Sequence, residues 1–280
     1  MKTNAKARFL KGMDASLTYL ILIAVALIFA FPCFWLILAS FSASGSIYSF
    51  SGFFPKSYSF ASFQTLFTDT GMYDYPRWFG NTLFIAVGAC MLGTLLVTLT
   101  AYVMSRFRFP TRKAMMKGTL VLGMFPSFMS MTAVYLLATQ FNLINSHWAL
   151  ILIYSAGAPM GYMVQKGFFD TIPQAIDDAA RLDGANNLTI FTRITLPLSL
   201  PMIVYTALTS FAWPWSDFIL PKLILKEKSL YTVAVGLMSL GETEFARFAA
   251  GSVFIAVPIV VLYFCLTRFL ISGVSAGSVK

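Results

Sequence analysis

The sequence predicts an all-α membrane protein with six transmembrane helices, and three observations carry that expectation. Hydrophobic residues make up 58% of the 280 positions and charged residues only 11%, where a soluble domain carries about 25% charged residues. Mean hydropathy is +0.75. The charges gather at the ends of long uncharged windows, each holding one or two stretches near the roughly 20 apolar residues that a spanning helix needs.

The windows place the spans in order. Residues 15–55 carry no charge, and their most apolar part, Leu17 to Leu38, is the first span. Window 78–105 supplies the second over 79–105. Window 118–165 holds a third span over 118–139 and a fourth over 148–165, divided by the polar break Gln140 to His147. The fifth occupies 198–220, running past Asp217, and the sixth 248–271, so residues 1–280 read as a single transmembrane domain. Pro32, Pro126, Pro159, Pro201, Pro214 and Pro258 fall within or beside these spans and should kink or interrupt them. Membrane bundles tolerate this where neighbours satisfy the freed carbonyls.

Basic residues set the orientation. Lys2, Lys6, Arg8 and Lys11 precede the first span, and Arg106, Arg108, Arg112, Lys113 and Lys117 follow the second. The turn between the third and fourth spans has none, which puts both termini in the cytoplasm. Lys222, Lys226, Lys228 and Arg247 then fall outside, against the trend. The Ser-rich, aromatic connection 39–78 becomes an external cap, and 166–193 an internal, polar one. The first apolar run is too long for a signal-peptide core, and Pro32-Cys33-Phe34-Trp35 offers no small-residue cleavage site, so that run is expected to stay as a span.

Several function classes drop out. The net charge of +9 follows membrane topology rather than a nucleic-acid face. Cys33, Cys90 and Cys265 lie in apolar runs without paired spacing, so no disulfide, metal or redox role follows. Gly-Lys never occurs, so the chain has no phosphate-binding loop of its own. The single histidine, His147, sits at an expected turn and fits a structural role. Among ionisable groups only Asp217 comes within reach of a span interior. That argues against the alternative of a secondary transporter or channel for a small neutral solute, which would place coupling groups at mid-membrane. It also suggests an uncharged substrate, for which Tyr205, Trp213, Trp215 and Asp217 offer aromatic faces and a polar group. Anchoring at the membrane interface is the competing role for the aromatics.

The most patterned stretch is 171–197. Thr171 and Gln174 have capping-box spacing, Pro173 suits a first helical turn, and Gly184 is a natural stop. Asp177 and Arg181 are spaced to pair at i,i+4. Asn186-Asn187 should cap a second short helix through Phe191 and Arg193, with Leu196-Pro197 bending the chain back toward the membrane. The element Asp178-Ala179-Ala180-x3-Gly184-x9-Ile194-x-Leu196-Pro197 resembles the "EAA" loop of bacterial ABC importer permeases, with Asp178 where Glu is usual. The resemblance continues at Asn81-Thr82, Ala101-Tyr102-x3-Arg106-Phe107-x-Phe109-Pro110 and Trp215-Ser216-Asp217-Phe218. The tail Ser275 to Lys280 looks like the end of the second permease of maltose-type systems.

What this resemblance to the maltose and maltodextrin sugar permeases implies is a type I importer fold in the bacterial cytoplasmic membrane. The chain would form half of a translocation pathway with a second permease subunit. Two ATPase subunits would bind ATP and Mg, an extracytoplasmic sugar-binding protein would deliver the substrate, and this chain would be no enzyme and hold no cofactor or metal. Asp178, Ala179, Ala180, Arg181, Asp183, Gly184, Ile194, Leu196 and Pro197 would form the element that docks on the ATPase. The segment 221–250, with Gly236, Gly241, Glu242 and Glu244, would meet the binding protein. The main sugar site would lie largely in the partner permease. Maltodextrin is the expected oligosaccharide, with raffinose-type, galactan-derived or alginate-derived ones as alternatives.

Overall fold

The computed structural model describes residues 2–46, 48, 53–71, 73–125, 127–156 and 159–276. Helix α1 runs over Lys2–Ser40 and α2 over Ala61–Thr68. Then come α3 (Tyr75–Arg106), α4 (Arg112–Gly123), α5 (Ser127–Gln140), α6 (His147–Ala156) and α7 (Pro159–Thr171). Short helices α8 (Gln174–Leu182), α9 (Asn187–Ile190) and α10 (Leu196–Leu198) follow, with a π-helical turn at Phe191–Thr195. The chain ends with α11 (Leu200–Ser216), α12 (Ile219–Ile224), α13 (Val233–Met238) and α14 (Phe245–Ala276). Ser42 and Tyr58 form an isolated antiparallel bridge.

Among the described residues, three stretches are long and apolar enough to cross a membrane as they stand: Leu17–Ser40, Tyr75–Arg106 and Glu242–Thr267. A fourth is a bent pair, Asn187–Leu198 with Leu200–Ser216, at 78°. The third and fourth expected spans are each shared between shorter helices, α4 with α5 and α6 with α7. Pro126 lies outside the described residues, while Pro159 opens α7 at the second junction. Pro32, Pro214 and Pro258 sit inside continuous helices instead of ending them. Leu20, Ile28 and Phe29 of α1 are more than half exposed, as expected of side chains whose natural solvent is lipid.

The fold divides into two compact units, residues 1–68 with 240–253 and residues 69–239 with 254–280. In the first, Phe41 packs edge-on to Phe60 with centroids 5.2 Å apart. The Ala246 amide donates to the Gly45 carbonyl at 3.0 Å, and Trp35 Nε1 to the Phe53 carbonyl at 2.6 Å. In the second, α3 is the central helix and packs along α6, α7 and α11. One core cluster joins Ala86, Phe211 and Trp215 toward one end of α3, and another joins Val97, Ala101, Tyr102, Met104, Tyr162 and Phe169 toward the other. Gly88 admits Ile151, whose Cδ1 would stand 2.7 Å from a Cβ at that position.

Candidate functional site

The 171–197 segment folds as a helix–turn–helix hairpin. Its start differs from the expected capping box. Thr171 is still the last residue of α7, and its hydroxyl donates to the Phe168 carbonyl at 2.7 Å, so Pro173 rather than a side-chain cap opens α8. The stop behaves as expected. Gly184 has φ +85°, a left-handed conformation that strains any residue with a Cβ. The Gly184 amide donates to the Arg181 carbonyl at 3.0 Å and the Ala185 amide to the Ala180 carbonyl at 2.9 Å, the paired bonds of a left-handed helix end. Asn186 then caps α9, its Oδ1 accepting from the Thr189 amide at 2.8 Å. The bend falls after Leu198, not at Leu196-Pro197. Pro197 lies within the helical run Asn187–Leu198, just after the π-helical turn, and Ser199 follows that run with its hydroxyl donating to the Thr195 carbonyl at 2.5 Å.

The expected pairing of Asp177 with Arg181 does not form. Arg181 Nη1 meets Asp178 Oδ1 at 2.8 Å on the open face of α8. Asp177 turns inward, where its Oδ2 lies 2.9 Å from Arg106 Nε, with side chains only 2% and 3% exposed. The Nε–H is poorly aligned with that oxygen, so charge rather than a directed hydrogen bond holds the contact. Arg106 Nη2 also donates to the Ile172 carbonyl at 3.1 Å. Of the residues expected to dock, Asp178, Ala179, Arg181, Asp183, Gly184 and Pro197 are exposed, and Ala180, Ile194 and Leu196 are half-buried. Sequence reasoning missed the two most prominent side chains of the hairpin tip. Leu182 is 91% exposed and Leu188 69%, and their signal was an apolar residue on the polar side of each short helix.

Below the hairpin the last turns of α3 supply further contacts. The Tyr102 hydroxyl donates to the Asn187 carbonyl at 3.2 Å, and its ring packs 4.6 Å from that of Phe191. Ser105 Oγ donates to Asp170 Oδ1 at 2.6 Å, and Lys166 pairs with the same carboxylate. Burial pushes the Asp170 carboxyl up, but the hydrogen bonds from Lys166 and Ser105 and the charges of Lys166 and Arg112 outweigh it, holding the group below its ordinary value. Higher in the bundle, buried Gln165 links three helices, donating to Thr98 Oγ1 at 2.9 Å and accepting from Thr206 Oγ1 at 3.1 Å.

The expected substrate-path residues do not converge. Tyr205 and Trp213 are exposed on α11, whereas Trp215 is buried between Phe79 and Phe211, at 5.0 and 6.0 Å, and is a packing residue. Asp217 Oδ2 accepts from the Tyr154 hydroxyl at 3.0 Å and Oδ1 from the Ile219 amide at 3.1 Å, tying α6 to the start of α12. Gly236 is likewise a packing position, because a Cβ there would overlap the Trp78 ring. Gly241 and Glu242 are exposed; Glu242 accepts from the Tyr48 hydroxyl, and Glu244 lies 3.3 Å from Arg247. His147 Nε2 sits 2.8 Å from the Leu230 carbonyl, the structural role its position suggested.

Residues 93–275 match the family described as the binding-protein-dependent transport system inner membrane component. The chain belongs to that family. It is 38% identical over 268 residues to the galactooligosaccharides transport system permease protein of Bacillus subtilis (strain 168), covering 94% of each chain. It is 36% identical over 282 residues to the maltodextrin transport system permease protein of Streptococcus pneumoniae (strain ATCC BAA-255 / R6), covering 99% of each. In fold it is similar, with a TM-score of 0.76 over 91% of this chain and 96% of the other at 17% identity, to a chain of a bacterial ABC transporter involved in the import of the acidic polysaccharide alginate. This binding-protein-dependent inner membrane component is thus a multi-pass bacterial membrane protein with a largely helical ABC-importer permease fold.

Proposed function

We propose that this chain is a permease subunit of an ATP-driven oligosaccharide importer, and that maltodextrin is its cargo. The observation that carries the reading is the 171–197 hairpin. It presents Asp178, Arg181, Leu182, Gly184 and Leu188 outward while Asp177 anchors it inward to α3. Leu182 at 91% exposure and Leu188 at 69% are the apolar side chains that a partner's surface would cover. In the proposed importer that surface belongs to a separate ATPase, which binds ATP and Mg and grips the hairpin from the cytoplasm, the compartment that holds both termini. A second permease subunit completes the pathway, and an extracytoplasmic sugar-binding protein docks near Glu242. The maltodextrin assignment rests on the relative of that name at 36% identity. A galactooligosaccharide is the second reading, because a relative of that name matches at 38%.

The test is ATP-dependent uptake by the complex reconstituted in proteoliposomes, with maltotriose and a galactotriose offered on their respective binding proteins. Uptake of maltotriose alone supports the first reading, and uptake of galactotriose alone replaces it with the second. Uptake of either sugar without ATP would contradict the importer.

A further inference from the structure

The hairpin is attached to the bundle both along the chain and through space. Along the chain its α8 follows α7, with only Ile172 and Pro173 between the two helices, and the hairpin leads into α11 through the 78° break at Ser199. Through space it is attached to α3, a continuous helix of 32 residues. Three side chains from the last turns of α3 reach three points of the hairpin and Asp170, at the end of α7. Tyr102 holds the Asn187 carbonyl, Ser105 the Asp170 carboxylate, and Arg106 both the Ile172 carbonyl and Asp177. Arg106 therefore grips the approach to α8 and its first full turn together. A buried guanidinium is suited to this, since its charge faces Asp177 while its Nη2 donates to the Ile172 carbonyl. Asp177 Oδ1 is buried with no hydrogen-bond partner, so the carboxylate depends on Arg106 as its counter-charge. A load applied to α8 meets a bend on the route to α11 but a buried ion pair and partly buried hydrogen bonds on the route to α3.

We propose that Arg106 and Asp177 are positioning residues for energy coupling: their buried ion pair makes α3, which has no direct covalent link to the hairpin, move with it. Because α3 packs along α6, α7 and α11, its displacement reaches the rest of the unit. This inference rests on the importer reading above, and wild-type uptake tests that reading by itself.

The experiment compares wild type, Asp177→Asn and the double variant Arg106→Ala/Asp177→Ala in the reconstituted complex with ATPase subunits and sugar-loaded binding protein. Three quantities are read: yield of assembled complex, ATP hydrolysis, and sugar imported per ATP. Asp177→Asn should assemble and hydrolyse ATP but import about tenfold less sugar per ATP, the range of a coupling energy between two sites. The double variant should be no worse than the single one, since the two residues act as a unit. A purely structural role would lower the yield and leave sugar per ATP unchanged, and that result overturns the proposal. If Asp177→Asn does not assemble, Tyr102→Phe removes one contact of α3 with the hairpin while leaving the ion pair in place. A reduced sugar-to-ATP ratio supports the α3 route, and a wild-type ratio contradicts it. A wild type without ATP-driven uptake sinks the importer reading itself.

Discussion

Asp177 and Asp178 are adjacent, yet one is 2% exposed against Arg106 and the other has a side chain 69% exposed beside Arg181. The exposed pair is screened and stabilises α8 by about 0.5 kcal/mol or less. The buried pair is asymmetric. Deleting one member strands the other's charge and costs about 3–5 kcal/mol, whereas replacing both with apolar residues of similar volume is close to neutral. Asp177→Ala should therefore lower the thermal midpoint of the purified protein sharply. Arg106→Met/Asp177→Leu should recover most of that loss while failing to restore import, which separates stability from coupling. Asp170 makes a prediction in pH. Its folded-state value is depressed, so its contribution is complete above the ordinary carboxylate value of 3.8 and is lost as pH falls through the lowered one. Unfolding followed from pH 7 down to about pH 3 should show an acid-side loss in wild type that shrinks in Asp170→Asn.

At the scale of elements, the parts read correctly from sequence were those fixed by local chemistry. Gly184 stops α8 because only a glycine adopts φ +85° without strain, and Asn186 caps α9 because its short side chain reaches the Thr189 amide. The parts misread were decided by tertiary neighbours. Spacing allowed Asp177 to pair with Arg181, but no local rule could reveal that α3 ends with Arg106 beneath it. Trp215, expected on the substrate path, and Gly236, expected to meet the binding protein, are packed by Phe79 and Phe211 and by Trp78. The hydropathy windows located apolar segments well and could not show that some would break into two helices. Gln165 belongs to this scale too. It is 0% exposed and joins α7 to α3 and α11. Gln165→Leu leaves Thr98 Oγ1 without its partner and should cost about 1–3 kcal/mol, measured as a lowered thermal midpoint in detergent. Thr206→Val should cost less, because the Thr98 bond to Gln165 survives it.

For the whole molecule, the division of labour is an apolar bundle that carries few charges and a polar hairpin that carries the patterned ones. On the proposed reading, this binding-protein-dependent component receives its substrate from a binding protein and its energy from a separate ATPase. The central claim is that a separate ATPase grips the outward face of the 171–197 hairpin. The most direct measurement places a single cysteine at Leu182, in a background with Cys33, Cys90 and Cys265 replaced by Ala, and applies a short bifunctional crosslinker to the assembled complex. A covalent adduct with the ATPase subunit, weakened when nucleotide changes that subunit's state, is the predicted result. An accessible Leu182→Cys thiol that labels from the extracytoplasmic side, or that never crosslinks to the ATPase, would contradict the account.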